Sequence, residues 1–229
     1  MPSVSGKSSR EPGESELVAL AGNVLFDTLG RRVYVEKATL SAEDTVAFAF
    51  AGALEALGIR YSVVAGYVSI LFGRSRRSDD IDFIAEPIGE DRFTALCAEL
   101  RNRGFSLMQG DINLEESLKR VYRGYLSRGL SVRFMYMNLV IPNVEFKLAR
   151  NPLHAFSIEN SIEVFLNGKR AFRVAPLELQ IAYKLYLGSD KDVGDAVFLY
   201  ELFKPVLKME ELNRWCAVLG VDASALKGA

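Results

Sequence analysis

The sequence predicts a mixed α/β (α+β) fold: a small mixed β-sheet core flanked by helices, with a helical C-terminal portion. Three observations lead there. Short β-rich runs alternate with helical stretches as far as residue 174. Two of those runs, near 130–148, are too closely connected for a regular doubly wound sheet and fit a mixed or antiparallel arrangement better. From Pro176 onward the patterns are mostly helical.

Taken in order, residues 1–14 are polar and rich in Pro, Gly and Ser, with no apolar run of signal-peptide type, and are expected to form a disordered tail. Residues 15–29, "SELVALAGNVLFDTL", show helical periodicity, and 32–40 look extended. "SAEDTVAFAFAGALEALG" opens on Ser41 with an acidic first turn and closes at Gly58, which predicts a capped helix. "RYSVVAG" reads as a strand, Gly66 as a turn, "YVSILFG" as two helical turns and "DIDFIA" as the next strand. A helix over 90–103, a strand at "FSLMQ", a helix over 114–126 and strands at "LSVRFMYM" and "VEFKLA" follow. "NPLHAF" looks like a loop, and Asn167-Gly168 between two alternating runs predicts a hairpin. Three helices close the chain: "PLELQIAYKLYLG", "KDVGDAVFLYELFKPVLK" and "MEELNRWCAVLG". The expected organisation is a tail (1–14), an α/β core (15–174) and a helical portion (175–229).

Composition narrows the chemistry. Apolar residues make up 49% of 229 residues, enough for a substantial core. The 28 Lys+Arg nearly cancel the 29 Asp+Glu, so attraction to polyphosphate must come from a local patch. Cys97 and Cys216 lie far apart in apolar surroundings and read as reduced core residues. A lone histidine, His154, excludes His-rich zinc sites and Ser-His-Asp catalysis centred elsewhere, and is expected to be structural or solvent-facing. No run reaches the roughly 18 apolar residues of a membrane span, so no membrane role and a cytoplasmic location are expected.

The chemistry concentrates in "GRSRRSDDIDF", residues 73–83. Residues two apart on a strand share a face, so Asp80 and Asp82 project together while Ile81 and Phe83 enter the core. Two such carboxylates repel and raise each other's pKa unless a cation intervenes, and hard ions such as Mg²⁺ favour one or two carboxylates plus phosphate oxygens. Asp79, Asp80 and Asp82 could instead cap the loop or pair with Arg74, Arg76 and Arg77. Just before them, Gly66 would let backbone approach a ligand closely, and the arginine loop could grip phosphate oxygens in a forked geometry.

"GYVSILFGRSRRSDDIDF" resembles the signature of the DNA polymerase β-type nucleotidyltransferase superfamily, and more closely that of minimal prokaryotic nucleotidyltransferases, including the abortive-infection toxin type. Their pattern of Arg, any residue, Ser or Thr, any residue, Asp, apolar, Asp stands here as Arg76, Ser78, Asp80, Ile81 and Asp82. A later helical motif, a lysine before a Lys-Asp-x-x-Asp cluster, matches Lys184, Lys191, Asp192 and Asp195. Many members carry Ser or Gly after the turn glycine, where this chain has Tyr67.

The resemblance implies transfer of a nucleoside monophosphate from an NTP to an acceptor hydroxyl, with release of pyrophosphate. Two Mg²⁺ ions would be held by Asp80, Asp82 and a third acid on a later strand: Glu145 in "NVEFKLA", with Glu163 in "SIEVFL" as competitor. The implied nucleotide-binding set is Gly66, Tyr67, Ser69, Arg76, Ser78, Lys184, Asp192 and Asp195. Asp192 could equally cap its helix, and Asp195, one turn on, is suited to orienting Lys184. The acceptor is left open among an RNA end such as tRNA, a protein and a small molecule. An alternative is a toxin–antitoxin or regulatory nucleotide-binding protein with weak or no catalysis, acting with an antitoxin-like protein partner. The metal site of a nucleotide-sugar glycosyltransferase would call for neither the Gly turn nor the Lys-Asp-x-x-Asp segment.

Overall fold

The computed structural model describes residues 17–29 and 31–226, so the expected tail over 1–14 lies outside the described residues. The described residues form ten strands and eight α-helices, a mixed α/β fold as the sequence predicts. The strands are β1 (Leu17–Ala19), β2 (Val24–Asp27), β3 (Arg32–Val35), β4 (Tyr61–Val64), β5 (Asp80–Ala85), β6 (Phe105–Leu107), β7 (Val132–Tyr136), β8 (Leu139–Leu148), β9 (Ile162–Leu166) and β10 (Lys169–Val174). The helices are α1 (Ala42–Ala56), α2 (Gly66–Leu71), α3 (Glu90–Asn102), α4 (Glu115–Gly124), α5 (Pro152–Glu159), α6 (Leu177–Leu187), α7 (Asp190–Phe203) and α8 (Met209–Leu219).

All ten strands join one sheet in the order β1-β2-β3-β9-β10-β4-β5-β8-β7-β6. The β3–β9, β10–β4 and β5–β8 pairs are parallel and the others antiparallel. The sheet reaches ten strands because the predicted hairpin β9–β10 bridges the N-terminal strands to β4.

Alternation explains why the central strands hold their positions. Phe83, Phe134 and Phe146 point to one face from β5, β7 and β8 and are fully buried. They gather around Phe50 of α1, with ring centroids 4.8, 5.4 and 5.8 Å away, and Phe105 of β6 joins at 5.4 Å. The intervening residues of β5 and β8 are thereby forced onto the opposite face.

Two sequence expectations are corrected. In 15–29, read as a helix, the described part forms β1 and β2 instead. Gly22, at φ +73°, sits in the bend between them, and from Val24 the burial follows strand pairing with β3, with Val24 and Phe26 inside and Leu25 exposed. Pairing across the sheet overrides a helical spacing of leucines. "NPLHAF", read as a loop, opens α5: the Asn151 side chain caps it by accepting the His154 N–H at 2.8 Å, and Pro152 occupies the first helical position. On α6, Leu177, Ile181 and Leu185 are buried, whereas Tyr186 is 55% exposed.

Cys97 and Cys216 are buried free thiols, and burial pushes both pKa values up, that of Cys97 to about 12. No helix among the described residues is long and apolar enough to cross a membrane.

Candidate active site

Register assembles the acids. β5 and β8 run parallel with Asp80 opposite Asn143, Asp82 opposite Glu145 and Ile84 opposite Lys147. Asp80, Asp82 and Glu145 therefore share the sheet face away from the phenylalanine cluster. Glu163, the competitor, lies on β9, three strands from β5, and is bonded to Arg32 at 3.2 Å and Arg173 at 2.7 Å. Topology thus places Glu145, and not Glu163, beside the aspartates.

The acids differ in what balances them. Asp82 is partly buried, and burial first, then the nearby Asp80 and Glu145, push its pKa up to about 6 against the opposing pull of Lys147 and Lys184. Glu145 accepts a 2.7 Å bond from Arg133 Nη2, which also lies 3.4 Å from Asp80 Oδ2. Arg133 stands opposite Glu145 on β7. Sequence reasoning missed it; the available signal was its position between the inward Val132 and Phe134.

Among the described residues no three His, Cys, Asp or Glu side chains converge as a metal-holding group. The donor chemistry nevertheless suits a hard cation. Mg²⁺ takes one or two carboxylates and completes its shell with water and phosphate oxygens, and Asp82, raised first by burial and then by its neighbouring carboxylates, would ionise more readily beside such an ion.

The turn before these strands is tightly built. Ala65, between β4 and α2, has φ 64° and ψ −140°, a backbone region that favours glycine. A Cβ on Gly66 would meet the Arg76 guanidinium and come within 3.2 Å of Ser78 Oγ. The glycine thus permits the basic loop to fold back over the start of α2. Tyr67 is turned into the core, where its hydroxyl donates to Asp44 Oδ1 at 2.8 Å, so at the turn it offers only backbone. Burial, then Asp44, raises its pKa well above the ordinary phenol value. Ser69 is fully buried, and among the described residues its Oγ has no hydrogen-bond partner.

Among the described residues the loop arginines make no ion pair with the strand aspartates; Arg74 and Arg76 both bond Asp195 on α7. Arg76 does so in fork geometry, Nε to Oδ1 at 2.9 Å and Nη2 to Oδ2 at 2.7 Å. Lys184 Nζ joins the same carboxylate at 2.9 Å and Asp192 at 2.6 Å. Lys184 is 3% exposed and its pKa is lowered by burial, which the bond to Asp192 opposes. Asp192 resists its own burial through hydrogen bonds from Lys184 and Ser189 and sits below the ordinary carboxylate range. Its N–H donates to Ser189 Oγ, so Ser189 caps α7 and Asp192 is the capped residue rather than the cap, with its carboxylate bonded to Lys184. Gly194 is small because a Cβ there would meet the Arg74 guanidinium. The turn, the loop, Lys184 and the Asp192/Asp195 pair are therefore brought together, with the loop tied to α7.

A hollow of about 430 Å³ lies at the far end of β4 and β5, beside Arg60 and Glu86, away from the carboxylates. A smaller one adjoins the carboxylate face.

No protein-family model and no curated protein matches the sequence. Among solved structures, the chain is similar to an antigenic nucleotidyltransferase-like protein from Paracoccidioides brasiliensis, at 19% identity and TM-score 0.49, over 82% of this chain and 93% of that one. It is also similar to the antibiotic-resistance factor ANT(2'')-Ia, in a solution structure at 15% identity and TM-score 0.48, over 80% of this chain and 94% of that one. A crystal structure of ANT(2'')-Ia in complex with adenylyl-2''-tobramycin matches at 16% identity and TM-score 0.48, over 79% and 98%.

Proposed function

We propose that the protein is a metal-dependent nucleotidyltransferase that moves a nucleoside monophosphate from an NTP to an acceptor hydroxyl. The observation that carries this reading is the register of β5 and β8, which aligns Asp82 with Glu145 and sets Asp80 beside them. One strand away, β4 leads into the turn at Gly66, over which Arg76 lies.

In this reading Asp80, Asp82 and Glu145 hold Mg²⁺ together with the nucleotide phosphates; the bound ions supply acidification of the acceptor hydroxyl and neutralisation of the leaving pyrophosphate. Arg76 and Ser78 line the turn and bind phosphate oxygens, with Asp195 fixing the orientation of Arg76. Lys184, held by Asp192 and Asp195, adds a buried positive charge near Asp82. The acceptor oxygen attacks the α-phosphorus, its proton passes to a nearby carboxylate or water, and pyrophosphate departs. A second reading, a nucleotide binder of the same fold with weak catalysis, is favoured by the Arg133 bond to Glu145, which occupies the third acid.

The test incubates the protein with Mg²⁺ and each labelled NTP in a pool of tRNA, protein and small-molecule acceptors. Label transfer that vanishes in Asp80→Ala and Asp82→Ala supports the reading. Folded protein that neither binds Mg²⁺-NTP nor labels anything refutes it. Nucleotide binding without transfer selects the second reading.

A further inference from the structure

The carboxylate face does not end at the acids. Past Asp82 and Glu145 the same face continues as Ile84 and Lys147 and meets a cavity of about 100 Å³. α5 contributes His154 to its wall, α6 contributes Gln180 and Tyr183, and the strained turn residue Ala65 joins them.

Gln180 is 3% exposed. One end of its amide accepts the Ala65 N–H at 3.4 Å, and since a backbone N–H only donates, that end is the oxygen. The other end is then an NH₂ group, and among the described residues Nε2 has no hydrogen-bond partner. A buried donor left unpaired costs about 1–3 kcal/mol, so an orphaned amide in a cavity wall marks a place for an acceptor. Its neighbours also donate. His154 Nδ1 accepts the Arg150 N–H at 3.4 Å, which puts the proton of the neutral ring on Nε2. Lys147 carries only donors. Tyr183, 39% exposed, adds an aromatic ring, with the Tyr186 ring 5.8 Å beyond it.

Resting on the nucleotidyl-transfer reading above, we propose that this cavity receives the nucleobase of the nucleoside triphosphate, and that Gln180 and its donor neighbours select bases carrying a ring carbonyl. Position argues for the base rather than the acceptor. The cavity and the triphosphate turn share Ala65, so a nucleotide whose phosphates lie at Gly66 has its other end within reach. Size agrees: a space of about 100 Å³ takes one ring system, well short of the roughly 300 Å³ at which pockets hold a whole drug-sized ligand. Cytosine, uracil and guanine present a carbonyl oxygen, whereas adenine offers ring nitrogens and an amino donor. Tyr183 would flank the ring plane.

Calorimetric titration of the full chain in Mg²⁺, with tripolyphosphate, CTP, UTP, GTP and ATP in turn, tests this. Gln180→Glu keeps an oxygen toward Ala65 and replaces the free donor with an acceptor; Tyr183→Ala removes a partly exposed ring and guards against a folding defect in the first variant. The expected result is that the wild type binds at least one carbonyl-bearing nucleotide about tenfold more tightly than ATP. Gln180→Glu should erase that margin and Tyr183→Ala should weaken every NTP, both with tripolyphosphate affinity unchanged. Equal affinity for ATP and the other three, or a margin that survives both variants, overturns the proposal. If folded wild type binds neither tripolyphosphate nor any NTP, the nucleotidyl-transfer reading itself has failed; binding of tripolyphosphate and NTPs alike overturns only the base cavity.

Discussion

Two acidic clusters lie close together in this molecule and are balanced in opposite ways. Asp195, fully buried, is bonded by Arg74, Arg76 and Lys184, with Asp192 sharing the lysine. Asp82 sits on a sheet face beside two more carboxylates, and its pKa is pushed up to about 6. In the first cluster cations outnumber the carboxylate they share, which closes a loop onto a helix. In the second, Arg133 serves Glu145 and Asp80, whereas Asp82 makes no ion pair among the described residues, which burial makes costly. A fold gains from the first arrangement and loses from the second, so the second calls for a ligand to explain it.

Substitution should separate the two clusters, with the largest effect at Asp195. Asp195→Ala takes the shared carboxylate from two arginines and leaves the buried lysine with Asp192 alone, and breaking a buried pair typically costs about 3–5 kcal/mol; denaturant unfolding should show a loss of that order. Asp82→Asn is expected to go the other way. The folded pKa of about 6 stands above the ordinary value near 3.9, so the proton on Asp82 stabilises the fold fully below about pH 4, and that contribution is lost as pH rises through about 6. Asp82→Asn should therefore gain on the order of 1–2 kcal/mol at pH 7 and almost nothing at pH 4, read by unfolding at both pH values. An Asp82→Asn variant that is less stable than wild type at pH 7 would put Asp82 in the same class as Asp195.

Smaller effects refine the picture. Ala65→Gly should raise stability by about 1 kcal/mol, because glycine adopts the φ 64° backbone without strain but gives back part of the gain as chain entropy. Thermal melting would register it, and a fall in melting temperature would show that the turn is not strained. Arg133→Ala, at a side chain 37% exposed, should change stability by less than about 1 kcal/mol. The same change should tighten Mg²⁺-nucleotide binding a few-fold, since Glu145 and Asp80 lose a competing cation; weaker binding would instead make Arg133 a nucleotide contact.

Much of this site can be read from the sequence because its signals are local. Asp80, Ile81, Asp82 and Phe83 alternate polar and apolar at the start of β5, and the face shared by Asp80 and Asp82 follows. The link from Lys184 to Asp195 also follows local order, since one short turn folds α7 back onto α6. Choosing Glu145 over Glu163 requires the strand order, which no local pattern specifies. Arg133 and Gln180 escape for the same reason: each matters through a partner on another element, Glu145 for one and Ala65 for the other. The helical reading of 15–29 fails because strand pairing with β3 outweighs the spacing of a few leucines.

The central claim is that Asp82 is kept for a cation at the expense of the fold. It is tested most directly by titrating Mg²⁺ with an NTP into wild type and Asp82→Asn between pH 5 and pH 7.5. The account predicts that wild-type affinity rises as pH passes about 6 and Asp82 ionises, while a folded Asp82→Asn protein binds at least about tenfold more weakly at pH 7.5. Equal affinity in the two proteins at pH 7.5, with no rise through pH 6 in wild type, would contradict it.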